Sequence, residues 1–300
     1  MLLDNRKSER STPRGKGSPS KYILSILPSI LVVMLIVCAG LVDKEHSDHN
    51  TSAKPFKPPK AWDLKLDSTF LGNHLDTKVW ATTCNKWSTS AGCTNFGNTD
   101  DPDQEWYLPS QDKVTDGALH LIAQREPTAG FDQKGQHKEY ACRSGIVTTY
   151  PGLRFEYGYV QITAEIPFGE GLWPAFWLAA ANQKWPPEID ILEHWDSESY
   201  GKVYLHPLTG ARQGGAVSMT DLSAGWHTFS LYWSKTELAW YYDGTKVFAT
   251  STGVPQQAMY LIANLAVDNA SPGGCSGSLL VKSVKIWQQS GSSEDAGLPG

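Results

Sequence analysis

The sequence predicts an all-β domain that consists of a sandwich of two antiparallel sheets. Residues 160–166 and 279–287 alternate between apolar and polar side chains, which is the period of a strand with one buried face. Asp243-Gly244 separates two further apolar segments and is a dipeptide typical of a tight hairpin turn. Amphipathic helical periods are scarce. Many short strands with Gly and Pro between them favour two packed sheets.

The N-terminal residues differ in composition from the rest of the chain. Residues 1–21 carry six Lys or Arg against two acids, whereas residues 22–42 contain no charge and are almost entirely apolar. At about 1.5 Å per residue, a helix over the second segment spans roughly the 30 Å hydrocarbon core of a membrane. We expect either a transmembrane helix with its N-terminus inside, or a signal peptide, for which Val37-Cys38-Ala39 offers small residues at the cleavage spacing. A lipid-modified Cys38 is a third alternative, and the body of the chain is exported in all three.

The remaining chain is divided into a linker, one domain and a tail. Residues 43–60 are polar and rich in Pro, as extended linkers are, and residues 289–300 are typical of a disordered tail. Residues 61–288 contain no internal repeat and no second linker, so we expect one domain there. The formal net charge is −5, and because residues 1–21 contribute +4, the remainder carries −9. This acidic body argues against nucleic acid as the main partner, and we expect a monomer.

Four of the five cysteines lie in the predicted exported domain, at positions 84, 93, 142 and 275. Four cysteines allow three pairings. Cys84–Cys93 is the pairing that we favour, because it closes a short loop rich in Ser, Thr and Gly, and Cys142–Cys275 follows from it. Such bonds form outside the cytoplasm. Four unpaired thiols are the alternative.

Three acids lie in one short apolar segment, Glu188-Ile-Asp190-Ile-Leu-Glu193. In a regular strand Glu188 and Asp190 share a face, whereas Glu193 points to the other side. A single bulge within Ile191-Leu192 would bring Glu193 to the same face, and bulges are common beside active sites. Because folding alone gives no reason to align three like charges, we interpret the segment as a catalytic row. A solvated acidic edge strand is the alternative.

Two carboxyl groups on one face have a specific chemical use. Paired carboxylates about 5–5.5 Å apart carry out retaining glycoside hydrolysis. One attacks the anomeric carbon, while the other donates a proton to the leaving oxygen and then activates water. A neighbouring negative charge and aromatic surroundings would raise the pKa of the donor, which keeps it protonated near neutral pH.

The acidic row and the segments around it resemble glycoside hydrolase family 16, in the form whose E-x-D-x-x-E signature contains a bulge. The resemblance covers about residues 62–288 and includes these further segments: Ser144-Gly145, Tyr157-Gly158-Tyr159, residues 171–177, 225–229, 240–244 and 260–267. It implies a concanavalin-like β-jelly roll with a glycan cleft on its concave sheet. It also implies that Glu188 is the nucleophile, that Asp190 orients and tunes it, and that Glu193 is the general acid/base.

Aromatic side chains are candidates for sugar binding, because the apolar faces of sugar rings stack on Trp. Trp173 and Trp177 are four residues apart and share a face of a strand. The resemblance implies that aromatic residues of this block line the cleft, and core packing is the alternative for each. Trp195 and Trp106 are further candidates for the cleft wall. His206 is expected on the next strand, where it would bond a substrate hydroxyl or a catalytic carboxylate, with a buried structural role as the alternative.

Together these features predict a membrane-tethered or secreted endo-β-glycanase that acts on internal bonds of a β-1,3 or mixed-linkage glucan with retention and needs no cofactor. A transglycosylase with the same intermediate and a non-catalytic lectin on the same fold are the alternatives. The family resemblance also implies a structural calcium site, but Asp67-Ser68-Thr69-Phe70 and Ser283 depart from its pattern. These departures argue against a calcium ion.

Overall fold

The computed structural model describes residues 62–82, 84, 93, 104–132, 135–195, 200–268 and 274–290. The predicted basic segment, the apolar segment 22–42 and the linker lie outside these residues, as does the tail beyond residue 290. Within the described ranges, no helix is long and apolar enough to cross a membrane.

The described residues form eighteen strands and one short 3₁₀ turn at Pro109–Gln111. In chain order the strands are β1 (Trp62–Ser68), β2 (Glu105–Tyr107), β3 (Asp112–Thr115), β4 (Ala118–Gln124), β5 (Thr128–Phe131), β6 (His137–Tyr140), β7 (Cys142–Ser144), β8 (Ile146–Thr148), β9 (Gly158–Glu165), β10 (Leu172–Ala180), β11 (Glu188–Glu193), β12 (Tyr200–His206), β13 (Gln213–Ser218), β14 (Trp226–Trp233), β15 (Leu238–Tyr242), β16 (Thr245–Thr250), β17 (Met259–Val267) and β18 (Ser276–Gln289).

Two large sheets build the predicted sandwich. The six-stranded sheet has the order β13-β12-β11-β10-β17-β8, and the ten-stranded sheet has the order β16-β15-β14-β9-β18-β4-β7-β2, with β1 added to β18 and β3 to β4. All pairings in both sheets are antiparallel except that of β2 with β7. A separate hairpin joins β5 and β6. The predicted all-β sandwich is confirmed.

One hydrophobic core lies between the two large sheets. It contains Phe176, Ile189 and Leu205 from the six-stranded sheet and Ile162 and Leu231 from the ten-stranded sheet, all of them buried. Core residues alternate along these strands, as Val203 and Leu205 do on β12. The opposite face of each strand is therefore left for solvent or for a site.

Two local predictions are confirmed by the backbone. The β15–β16 hairpin turns at Asp243 and Gly244, whose φ angles of 46° and 78° are both positive, as the tight hairpin turn requires. Both favoured disulfides are formed: Cys84–Cys93 has a Cα–Cα distance of 5.5 Å, and Cys142–Cys275 has one of 6.0 Å.

Candidate active site

The predicted bulge lies in β11. Asp190 pairs with Trp177 and Leu192 with Phe176, so Ile191 is the extra residue between them. Ile191 and Leu192 are both buried in the core. Because these two successive residues both face the core, the strand resumes with Glu193 on the same face as Glu188 and Asp190. The bulge therefore produces the acidic row that the sequence predicts.

Strand β12 places one side chain opposite each acid. Glu188 pairs with His206, Asp190 with Tyr204, and Glu193 with Lys202. The Nε2 atom of His206 is 3.6 Å from Glu188 Oε1 and 3.4 Å from Asp190 Oδ2. The structure thus brings His206 to the carboxylates, where the sequence expects it.

Glu193 is held by an aromatic pair. The Nε1 atom of Trp173 donates a hydrogen bond of 3.1 Å to Glu193 Oε1. The Trp173 ring stacks on the ring of Trp195, with 4.8 Å between the centroids. Lys202 Nζ lies 3.8 Å above the Trp195 ring. Two of the four predicted aromatic residues, Trp173 and Trp195, therefore lie at the Glu193 end of the row.

Burial raises the pKa values of all three acids of the row. Burial raises the pKa of Glu193 to about 7, although the hydrogen bond from Trp173 and nearby positive charges lower it. Burial and then the charge of Asp190 raise the pKa of Glu188 well above its ordinary value. Burial and then the charge of Glu193 raise the pKa of Asp190 in the same way. Burial and the repulsion between neighbouring carboxylates thus both favour the protonated form of these acids.

Asp190 is the most enclosed of the three acids, with 4% of its surface exposed. Its backbone oxygen, at the start of the bulge, accepts a hydrogen bond of 2.8 Å from Trp240 Nε1. Trp240 belongs to β15 in the other sheet. This bond ties the bulge to the opposite layer of the sandwich.

The arrangement can be compared with known proteins. The sequence model described as glycosyl hydrolases family 16 matches residues 109–276, which is more than half of the chain. The chain belongs to glycosyl hydrolase family 16.

The chain is also similar to a curated protein and to two solved structures. The chain is 32% identical over 206 residues to the endo-1,3-1,4-beta-glycanase ExsH of Rhizobium meliloti (strain 1021); the match covers 64% of this chain and 42% of that protein. The chain thus spans less than half the length of this curated relative. The laminarinase catalytic domain from Thermotoga petrophila RKU-1 is similar with a TM-score of 0.63 at 23% identity, covering 76% of this chain and 98% of that one. SCLam, a non-specific endo-beta-1,3(4)-glucanase, gives 0.62 at 25% identity, covering 78% and 94%.

Trp177 of this family 16 domain is covered, although it shares a face with Trp173. It is 7% exposed and belongs to a small apolar cluster with Tyr260 and both cysteines of the Cys84–Cys93 disulfide. Its Nε1 atom donates to Asn264 Oδ1 at 2.8 Å. Because the ring is enclosed, the packing alternative describes Trp177 better than a sugar platform does.

Trp106 is not brought to the acids, and its expected place in the cleft wall is corrected. It is 2% exposed and packs against Phe131 and Tyr140 of the β5–β6 hairpin. A Cβ atom on Gly130 would lie 2.5 Å from the Trp106 ring, so the hairpin backbone covers it closely. The hairpin is a separate element whose packing on β2 cannot be inferred from the sequence pattern of β2.

Trp185 is a site residue that the sequence analysis missed. Trp185 is 65% exposed, its ring centroid is 5.8 Å from that of His206, and it lowers the pKa of Glu188. An exposed indole beside the proposed nucleophile is suited to stacking on a sugar ring. Its sequence signal is its position immediately before Pro186-Pro187-Glu188.

The residues at the family's calcium positions do not fit a calcium ion. Both carboxylate oxygens of Asp67 lie 3.3 Å from Lys285 Nζ, and position 283 is a serine. Calcium prefers several carboxylate and carbonyl oxygens. Among the described residues, the one cluster with three suitable metal ligands is Glu188, Asp190 and His206, which consists of two acids of the row and the histidine beside them.

Proposed function

We propose that this chain is a retaining endo-β-glucanase that hydrolyses internal bonds of a β-1,3 or mixed β-1,3/1,4 glucan. The observation that carries the proposal is the bulged acidic row, in which Glu188 and Glu193 share a face on either side of Asp190. The activities for which two similar proteins are named, endo-1,3-1,4-beta-glycanase and endo-beta-1,3(4)-glucanase, support this substrate class.

In this mechanism Glu188 attacks the anomeric carbon and the glycosidic bond to the leaving oxygen breaks. Glu193, which carries a proton near neutral pH, gives it to that oxygen. A covalent glycosyl-enzyme results, and the ionised Glu193 then takes a proton from the water that hydrolyses it. Two carboxyl groups complete this cycle, so the reaction requires no cofactor.

Asp190 and His206 position the nucleophile. Asp190 lies between the two reacting acids and its carboxylate contacts His206, which also contacts Glu188. When Glu188 is ionised, a positive charge on His206 stabilises it, whereas the charge of Asp190 opposes it. The pair therefore adjusts how readily Glu188 gives up its proton as the sugar binds.

Kinetics of Glu193→Gln and Glu188→Ala on laminarin and mixed-linkage glucan test the proposal. Glu193→Gln should lower kcat about 10²–10⁴-fold on these substrates, because an amide cannot protonate the leaving oxygen. The loss should be much smaller on an aryl glycoside whose leaving group needs no proton. Glu139→Gln, at an exposed position on β6, is the matched control and should retain activity.

Covalent trapping identifies the nucleophile directly. A 2-deoxy-2-fluoro glycoside should label Glu188, as peptide mass analysis would show, and a label on another residue would reassign the role. Binding of glucan without new reducing ends would make the protein a lectin. Products longer than the substrate would make it a transglycosylase.

We further propose that the domain is exported and that residues 22–42 anchor it in a membrane with the N-terminus inside. The uncharged segment, the basic residues before it and two disulfides in the domain support this placement. The intact N-terminus in the membrane fraction, detected by mass analysis, is the expected result. A mature protein in the medium that begins after residue 39 would favour the cleaved signal peptide.

A further inference from the structure

A positively charged strip borders the acidic row on the side of β12. Lys202 stands opposite Glu193 in the β11–β12 register and lies on the ring of Trp195. The guanidinium carbon of Arg212 lies 4.3 Å from the centroid of the Tyr204 ring, and Tyr204 stands opposite Asp190. We call Lys202 and Arg212, with the two rings beneath them, the cationic strip.

The Tyr204 ring holds the guanidinium of Arg212 in place without occupying its N–H donors. A guanidinium that lies over an aromatic face is attracted to the ring, while its N–H groups remain at its edge for an acceptor. Arg212 is exposed. The strip is thus a local concentration of positive charge beside the proposed acid/base.

The neighbouring strand leaves room beside the strip. Gly214 pairs with Tyr204, Ala216 with Lys202, and Ser218 with Tyr200, so these three residues share the face of the acidic row. All three are exposed, and none has a side chain larger than that of serine. A group attached to a sugar bound over the acids would meet a shallow floor there rather than a wall of side chains.

A role in adjusting the pKa of Glu193 does not by itself account for the position of Lys202 and Arg212. Burial raises the pKa of Glu193, and Lys202 and Arg212 oppose that rise. A tuning role needs only charge at a distance. It does not need an exposed guanidinium fixed over a ring next to an open floor, and a neutral glucan has no charge that would use the planar donor edge of an arginine.

We propose that the cationic strip binds an acidic substituent, a carboxylate or a sulfate, carried by the glucan chain next to the bond that is cleaved. This inference rests on the proposed function, since it names the substrate class of the same cleft. Charged hydrogen bonds from Arg212 and Lys202 would orient the substituted sugar above the β13 floor.

The test compares unmodified laminarin with its hydroxyethyl, carboxymethyl and sulfated derivatives. The three derivatives carry equal degrees of substitution. Hydroxyethyl laminarin matches the substituents in size without their charge. For the wild type, kcat/KM on an anionic derivative should exceed that on the hydroxyethyl derivative by about 5–10-fold at low salt, as a charged hydrogen bond at an exposed site supplies. The carboxymethyl and sulfated arms distinguish the two acids.

The ratio of anionic to hydroxyethyl kcat/KM is the decisive quantity, because a changed ionisation of Glu193 alters both rates alike. Arg212→Gln and Lys202→Met should each bring this ratio towards one, and Arg212→Lys should retain part of it. Lys246→Met removes an exposed charge on β16 in the other sheet and should leave the ratio unchanged.

Affinity electrophoresis in gels that contain each polymer separates this proposal from the proposed function. Stronger retardation by the anionic polymers, lost in Arg212→Gln, would support the strip even if no polymer were cleaved. Cleavage of unmodified laminarin with a wild-type ratio of one or less, together with equal retardation by charged and uncharged derivatives, would overturn it.

Discussion

At the scale of single residues, the proton on Glu193 sets the expected pH dependence of hydrolysis. Burial raises the pKa of this carboxyl to about 7, against the opposing effects of the Trp173 hydrogen bond and of His206, Lys202 and Arg212. The proposed acid must be protonated for the first step, so kcat/KM on mixed-linkage glucan should fall about tenfold per pH unit above that pKa. A profile of kcat/KM from pH 4 to 9 measures this decline, which is the alkaline limb of the profile.

Lys202→Met should move the same limb to higher pH. Lys202 is one of the cations that lower the pKa of Glu193, and its removal leaves burial less opposed. Lys246→Met, on the other sheet, is the control and should leave the limb in place. A limb that stays fixed in Lys202→Met would show that another group controls it.

Glu193 should also make the fold less stable at alkaline pH. Its folded-state pKa of about 7 lies above the ordinary value of 4.5. As pH rises from about 4.5 to 7, the unfolded chain releases this proton before the folded chain does, so stability falls across that window and the full cost is present above it. Glu193→Gln removes the cost, which we place at about 1–3 kcal/mol after allowing for the partial exposure of the site.

Thermal unfolding of both proteins measures this difference. The Tm of Glu193→Gln should exceed that of the wild type at pH 8, and the gap should close towards pH 4. An equal gap at both pH values would mean that the substitution acts through packing and not through ionisation.

At the scale of elements, the β11 bulge depends on the opposite sheet. Trp240 Nε1 donates to the Asp190 backbone oxygen across the core. Trp233 Nε1 donates to the Pro255 oxygen at 3.2 Å, away from the acidic row. Both indoles are buried, so Trp240→Phe and Trp233→Phe each leave a carbonyl without this donor. Each should cost about 1–3 kcal/mol of unfolding free energy.

Only Trp240→Phe should also impair catalysis. Loss of its hydrogen bond frees the residue at which the bulge begins, so Asp190 and Glu193 lose their fixed separation and kcat should fall about tenfold or more. Urea unfolding and kcat on laminarin, measured for both variants, separate the two effects. Equal kcat values for Trp240→Phe and Trp233→Phe would contradict a positioning role for Trp240.

At the scale of the whole molecule, the two disulfides should contribute unequally to stability. Cys142 and Cys275 are 133 residues apart, whereas Cys84 and Cys93 are 9 apart. The loop-entropy relation assigns about 5 kcal/mol to the longer loop and about 2.5 kcal/mol to the shorter one. Denaturant unfolding of the two paired Cys→Ser variants should therefore show the larger loss for the Cys142–Cys275 pair.

Loss of Cys84–Cys93 should have a second, local effect. This disulfide packs in the same apolar cluster as Trp177, whose strand partner is Asp190. The Cys84–Cys93 double variant should therefore lose less stability than the Cys142–Cys275 double variant but should show the larger increase in KM for glucan. The reverse order would place the short disulfide outside the site.

The sequence alone determined the sandwich and the acidic row, and it favoured the disulfide pairing that the structure contains. Each depends on information that lies close together in the chain: period-two alternation at 160–166, the Asp243-Gly244 turn, a short Cys84–Cys93 loop, and three acids whose parity demands a bulge. Local sterics and the pleat of a strand fix the face of each side chain, so such patterns can be read without coordinates.

Only the tertiary structure decided which aromatic and charged residues join that row. Trp173 and Trp177 point to the same face of β10, yet Trp173 donates a hydrogen bond to Glu193 whereas Trp177 is buried in an apolar cluster. Trp106 is enclosed by the β5–β6 hairpin. Lys202, Arg212 and Trp185 meet the acids through strand registers and loop placement. Pairing between strands and burial by distant segments depend on the packing of the whole chain, and no local period of the sequence encodes them.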